Sequence, residues 1–387
     1  MSAIVGKNYE LPALDLNFAE NKSLIDSVTG RNLITFSRSQ SGKEATYVGS
    51  DGLIKYAGAD EPRFDHDPET GEDLGLLIEE QRTNLLRYSD QLDNETVWTQ
   101  SNTEVTANQA ISPDGTQTAD LVEQLIAGVN DGVYQLVTGL TATAQYTFSF
   151  WARSNSPITV KTRIWDGNNS VTCNLTSEWK RFYVTETIPT TNVYALVQAL
   201  QPGEQFYVWG AQLERGSFAT SYIPTDGTPG GIVRGADVAS ITGTNFSSWY
   251  NNSGGTFYAD CNSVDGDNGV FSVGTSTSPN EGLSYDFSSF NSVPADVVLN
   301  GTFNPVGSPH KFAVTSQTGT ISLYADGVLQ DTDTATNAQR DGVILVIGNR
   351  CIFGGGIQSN RHLNGTISRL TYWPKRLPDL ELQQLTK

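Results

Sequence analysis

The residues of this chain best suited to chemistry are aromatic side chains set beside amides and carboxylates, and that chemistry is recognition. Trp165-Asp166-Gly167-Asn168-Asn169 and Trp249-Tyr250-Asn251-Asn252 each place an indole next to short polar groups in turn-forming sequence. An exposed ring of this kind stacks on the C–H face of a sugar, while Asn and Asp bond its hydroxyls. Trp98, Trp165, Asp166, Asn168, Trp249, Tyr250 and Asn251 are therefore the candidate carbohydrate-binding residues. Each ring also suits the edge of a core. Trp151, Trp179, Trp209 and Trp373 fall within strand patterns and read as core.

Signals for catalysis are absent. His66, His310 and His362 are isolated and have no Ser or Cys in a nucleophile context. Neither G-x-S-x-G nor H-E-x-x-H occurs. A glycosidase needs two carboxylates across a sugar, and the 42 Asp and Glu residues offer no pair that spacing selects. The expectation is a protein that is not an enzyme. Two acidic turns resemble cation loops. Asp65-His66-Asp67-Pro68-Glu69-Thr70-Gly71 has alternating oxygen ligands, but Pro68 interrupts it and its Gly comes one place late. In Asp265-Gly266-Asp267-Asn268-Gly269, the side chains of Asp265 and Asp267 are the candidate ligands for a structural Ca²⁺, and a plain hairpin tip is the alternative.

Composition narrows the class. The chain has 387 residues, 37% of them hydrophobic, enough for packed cores and for more than one domain. Its net charge of −18 disfavours nucleic acid, because phosphate binding needs Lys and Arg. No apolar stretch approaches the ~18 residues of a membrane span, and the first twenty residues lack a basic start followed by an apolar block. Cys173, Cys261 and Cys351 are odd in number and widely spaced, as expected of reduced core residues in a protein made in a cytosol.

The elements that must position these residues are strands. Leu14, Leu16 and Phe18 alternate with Asp15 and Asn17, and the turn GSDG at 49–52 separates two short apolar runs. YTFSFW at 146–151 and QFYVW at 205–209 are the clearest strands, with others predicted at 158–165, 181–185 and 193–199. Further strands are predicted at 256–260, 269–273, 311–314, 321–324, 344–347 and 366–373. Asp326-Gly327 signals a two-residue hairpin turn with positive φ at both centres. Only 378–385 reads as helix. A Gly/Pro linker at 224–231 divides the chain, so three blocks follow: 1–85, 86–225 and 232–387.

The third block resembles a laminin-G/concanavalin-A-like sandwich, on Ile321-Ser322-Leu323-Tyr324-Ala325-Asp326-Gly327-Val328, the stretch 363–373 and the closing Leu377-Pro378-Asp379-Leu380-Glu381. The middle block resembles jelly-roll carbohydrate-binding modules of phage and bacterial surface proteins. Asn84-Leu85-Leu86, Trp151-Ala152-Arg153-Ser154 and Trp209-Gly210-Ala211-Gln212-Leu213-Glu214, followed by Phe218-Ala219-Thr220-Ser221-Tyr222-Ile223-Pro224, carry that likeness. The segment Pro62 to Leu86 is similar to one that recurs in tail-fibre and other structural proteins of tailed bacteriophages.

These resemblances imply an all-β chain of two tandem antiparallel β-sandwiches, a jelly roll and a concanavalin-A-like domain. Phe36-Ser37-Arg38 before Ala45-Thr46-Tyr47-Val48 and the stretch 233–238 echo one another, and residues 10–60 are expected to complete the C-terminal sandwich around an inserted middle domain. The function implied is a non-enzymatic virion protein, a tail fibre or adhesin that displays a surface for a host glycan or receptor. It would be made in the bacterial host cytoplasm and would contact other virion proteins, without nucleic acid or membrane insertion. A homo-oligomer, a trimer as in fibres, is implied. The alternatives are a purely structural capsid decoration, head-fibre or tail-adaptor protein, and a polysaccharide depolymerase.

Overall fold

The computed structural model describes residues 11–39, 42, 44–126, 128, 131–164, 170–264, 269–274, 282–286, 289–293, 297–300, 310–317, 320–334, 342–352 and 356–387. Among these residues the chain is nearly all strand, every strand pairing is antiparallel, and the helices are short. The chain forms two compact units, each gathered from separate stretches. One takes the chain up to Arg38, Asp60–Glu80 and Ala236–Lys387, and the other takes Ser39–Ala59 and Gln81–Gly235.

The first unit packs an eight-stranded sheet against a seven-stranded one. In the larger sheet, the strand Gly365–Trp373 lies between Gly254–Ser263 on one side and Asp73–Ile78 on the other. Leu14–Asn17 also pairs with it, Leu14 opposite Tyr372 and Asn17 opposite Arg369. In the smaller sheet, Thr35–Arg38 pairs with Asp237–Thr242. The expected completion of the C-terminal sandwich by N-terminal strands is thus observed for Leu14–Asn17 and Thr35–Arg38, and within the echoing stretches Ser37 and Arg38 lie opposite Val238 and Asp237. Leu14, Leu16, Phe18, Leu76 and Ile78 are buried in one core with Phe257, Phe312, Ile367 and Tyr372. Gly75 is required where it stands, because at φ +98 a Cβ would meet the Ile367 carbonyl oxygen at 2.1 Å. Asp326 and Gly327 both have positive φ, as the hairpin signal predicts.

Buried charges join the stretches of this unit. Asp237 accepts from Arg38 at 2.9 Å and from Arg63 at 2.5 Å, and Arg63 also reaches Glu79 at 2.8 Å. The Glu79 backbone N–H donates to Asp237, and the Asp237 N–H donates to the Glu79 carbonyl. Burial pulls the Arg38 pKa down. At Arg63 burial acts the same way, but Asp237 and Glu79 outweigh it and the pKa rises. At the other end, Arg369 grips Asp15 through two bonds of 2.7 Å.

The second unit is a sandwich of two five-stranded sheets. One runs Lys180–Thr187, Gln145–Arg153, Gln205–Arg215, Ala119–Gln124, Thr103–Ala110, and the other runs Val171–Leu175, Ile158–Ile164, Asn192–Ala199, Gly132–Thr138, Trp98–Ser101. The chain passes repeatedly from sheet to sheet, as in a jelly roll. Phe148, Phe150, Val160, Val197, Phe206 and Leu213 fill the space between.

The N-terminal block of the sequence does not stand as a unit. The hairpin Ala45–Val48/Ile54–Ala57 belongs to the second unit, where Ile54 packs with Trp209 and Tyr222 and Thr46 donates to the Tyr222 carbonyl at 2.6 Å. A short strand with one apolar residue in two declares a face but not which sheet will cover it.

A fragment of residues 232–387 expressed alone lacks Leu14, Leu16, Phe18, Leu76 and Ile78 and leaves Asp237 without its arginines. It is expected to be aggregated or unfolded by circular dichroism and size exclusion; a monodisperse fragment with a cooperative melt contradicts the pairing.

Candidate functional site

The face that offers itself to a ligand is the outer side of the sheet ending in Trp98–Ser101. Strand alternation turns one side chain in two away from the core. On Gly132–Thr138 these are Tyr134, Leu136 and Thr138, and on Asn192–Ala199 they are Tyr194, Leu196 and Gln198. On Ile158–Ile164 they are Thr159, Lys161 and Arg163, and on Val171–Leu175 they are Thr172 and Asn174. The register lays them side by side. Tyr134 faces Leu196, Leu136 faces Tyr194, Arg163 faces Leu196, and Lys161 sits between Gln198 and Thr172.

Tyr134 and Tyr194 meet edge to face, with centroids 5.3 Å apart and planes at 88°. In that geometry the two rings brace one another through their edges and faces. Tyr194 is 38% and Leu136 48% exposed, while Arg163 is buried. None of the outward positions named is an Asp or Glu, in a chain with 42 of them. The face therefore combines ring surface, amides, hydroxyls and the Lys161 ammonium on a rigid sheet.

Four of the residues singled out in the sequence lie elsewhere. Trp98 is 1% exposed, opposite Gln135 in register, with its indole N–H donating to the Tyr88 carbonyl at 3.0 Å. It is the inward member of its strand and has no ring face for a sugar. Trp249 is buried against Phe246 and Tyr372 at 4.9 and 5.2 Å. Tyr250 stacks on Tyr372 at 5.5 Å. Asn251 is consumed locally, donating to the Pro374 carbonyl at 2.7 Å and accepting from the Ser253 N–H at 3.0 Å. These four are corrected from ligand contacts to packing and turn residues: Trp98 is the inward member of its strand, and Trp249, Tyr250 and Asn251 follow the short helix Gly243–Ser247 into the other core and its turn. Trp165, Asp166 and Asn168 occupy the connection from Ile158–Ile164 to Val171–Leu175, outside the described residues, as do Asp265 and Asp267.

Among the described residues no three His, Cys, Asp or Glu side chains gather as a metal site. The acidic turn at Asp67 closes on itself, the Asp67 carboxylate accepting from the N–H groups of Glu69 and Thr70. Burial pushes the Cys173 thiol up to about 11, which keeps it inert.

The most distinctive motif of the middle block is a clamp. Glu214 is buried and accepts from the Thr220 N–H and hydroxyl, both at 2.8 Å. Gln212 accepts from the Ile223 N–H at 2.7 Å and donates to Glu214 at 2.8 Å. Asn84 donates to the carbonyls of Ala211 and Ile223 and accepts from the N–H groups of Leu86 and Leu213. Glu79 pairs with Arg63, whereas the Arg82 guanidinium lies over the Phe218 ring at 4.7 Å.

No family model matches the sequence, and no curated protein matches it. Among solved structures, the Ruminococcus gnavus IT-sialidase CBM40 bound to alpha2,3 sialyllactose is similar at 14% identity and TM-score 0.32, over 37% of this chain and 88% of that one. The CBM22-1 xylan-binding domain from Paenibacillus barcinonensis Xyn10C gives 11% and 0.28, over 36% and 94%. The enzymatically active domain of bacteriophage CBA120 tailspike protein 4 gives 13% and 0.26, over 35% and 22%.

Glu214→Ala strands the Gln212 amide and two Thr220 donors in the interior and is expected to cost about 2–4 kcal/mol in urea unfolding. A loss below about 0.5 kcal/mol, the range of ordinary surface substitutions, contradicts the clamp.

Proposed function

We propose that this chain is a non-enzymatic glycan-binding protein whose ligand lies across Tyr134, Tyr194, Lys161 and Asn174. The observation that carries this is the pair of mutually braced tyrosines on an outer sheet face whose named outward positions include no Asp or Glu, in a protein of net charge −18. Ring faces held by each other lose little freedom when a sugar stacks on them, and the neighbouring amides and hydroxyls suit its oxygens. Such sites are weak singly and gain strength by repetition.

The setting we propose is a tailed-bacteriophage particle, on the resemblance of the Asn84, 209–214 and 218–224 motifs to phage virion proteins. There the chain would be an adhesin or tail-fibre component, a homo-oligomer (a trimer by fibre symmetry) that contacts other virion proteins and a host surface glycan. A purely structural place on the particle is the second reading. It is favoured by the burial of Trp98 and Trp249 and by a phage-like motif spent on holding the fold.

A glycan array on the purified chain, with labelled protein on host cells, tests the choice. Tyr134→Ala and Tyr194→Ala are each expected to weaken binding about tenfold, roughly 1.4 kcal/mol, with the melting temperature little changed. Absence of binding to every glycan and host surface contradicts the glycan reading in favour of the structural role.

A further inference from the structure

The other sheet of the same sandwich holds an arginine whose side-chain donors are unfilled among the described residues. Arg153 ends the strand Gln145–Arg153, opposite Tyr207, and Lys180 faces its neighbour Ala152. Tyr207, Arg153 and Trp179 thus come from three adjacent chain segments at one end of the sheet. The Arg153 guanidinium carbon lies 4.5 Å from the Tyr207 ring centroid and 5.3 Å from that of Trp179. Both rings are pinned. The Trp179 N–H donates to the Ile111 carbonyl at 2.9 Å, and the Tyr207 hydroxyl accepts from the Asn155 amide at 3.3 Å.

Among the described residues the Arg153 guanidinium makes neither a hydrogen bond nor an ion pair. Arg38, Arg63, Arg369 and Arg376 of this acidic chain each hold a carboxylate. Arg153 is half-buried, so its plane is fixed while its N–H groups remain to be used. A guanidinium ordered by two rings presents its fork ready-made, and a carboxylate matches that fork with two parallel bonds. The ring edges and Ile111, which is 53% exposed, flank it with apolar surface suited to the C–H face of a pyranose. Lys180, exposed, adds a second positive charge nearby.

We propose that Arg153, Trp179 and Tyr207 form a second ligand site that takes the carboxylate of an acidic sugar. It lies on the opposite sheet from the Tyr134/Tyr194 face and stands or falls independently of it.

The full-length protein is titrated with oligogalacturonate and with a neutral oligosaccharide of equal length, followed by tryptophan fluorescence. Oligogalacturonate is expected to bind with an affinity that falls with salt. Arg153→Met, which keeps the packing between the rings, and Arg153→Lys, which keeps the charge but not the fork, are each expected to weaken it about tenfold or more. Equal binding of the neutral sugar, uronate binding that survives Arg153→Met, or no uronate binding at all overturns the site; unchanged melting of both variants shows that a loss is not one of folding.

Discussion

The sandwich that carries the proposed ligand face depends on one buried amide. Asn84 uses both hydrogens of its nitrogen and both lone pairs of its oxygen on backbone groups of 211, 213, 223 and 86. It thereby fixes where the chain enters the sandwich, where the last strand runs and where the segment beyond that strand returns. A fully satisfied amide in an apolar interior tolerates no sliding, because any shift strands a donor or acceptor. Gln212 and Glu214 extend the same logic to Thr220 and Ile223. The return segment, the hairpin 45–57 and Trp209 then cover part of the outer side of one sheet. The outer side of the other keeps Tyr194 and Leu136 exposed.

The first unit uses charge where the second uses amides. Its strands come from three separate stretches, and the Arg38–Asp237–Arg63–Glu79 cluster sits where those stretches meet. Buried pairs of this kind add little net stability, since desolvation offsets attraction. They do penalise every arrangement that leaves one member unpaired. Asp237 cannot enter its sheet without Arg38 beside it and Arg63 above it, and register follows from that demand.

Much of the architecture is legible in the residues. Alternation at Leu14–Asn17, the aromatic strands at 145–153 and 205–215, and the Asp326-Gly327 turn all appear where the pattern puts them. Assignment of the N-terminal strands to units was only half legible. The echo of Phe36-Ser37-Arg38 with 233–238 signals pairing, yet nothing in the hairpin 45–57 tells that it joins the other unit. The ligand face was harder still. Trp98 and Trp249 stand in polar, turn-like sequence, and a large ring beside Asn looks the same whether it faces water or core. Tyr134 and Tyr194 do carry a signal, since each is the aromatic, outward member of an alternating strand. That signal emerges only when two strands far apart in sequence are set in register, and Arg153 between Trp179 and Tyr207 is hidden for the same reason.

The central claim is that recognition takes place on a sheet face rather than on aromatic-tipped loops. Backbone and side-chain NMR shifts of the full chain during titration with a glycan found to bind report the place directly. The account predicts the largest changes at Tyr134, Leu136, Lys161, Asn174 and Tyr194, with Trp98 and Trp249 unmoved. Changes centred on Trp249–Asn251 or at Trp98, with the Tyr134/Tyr194 pair silent, would contradict it.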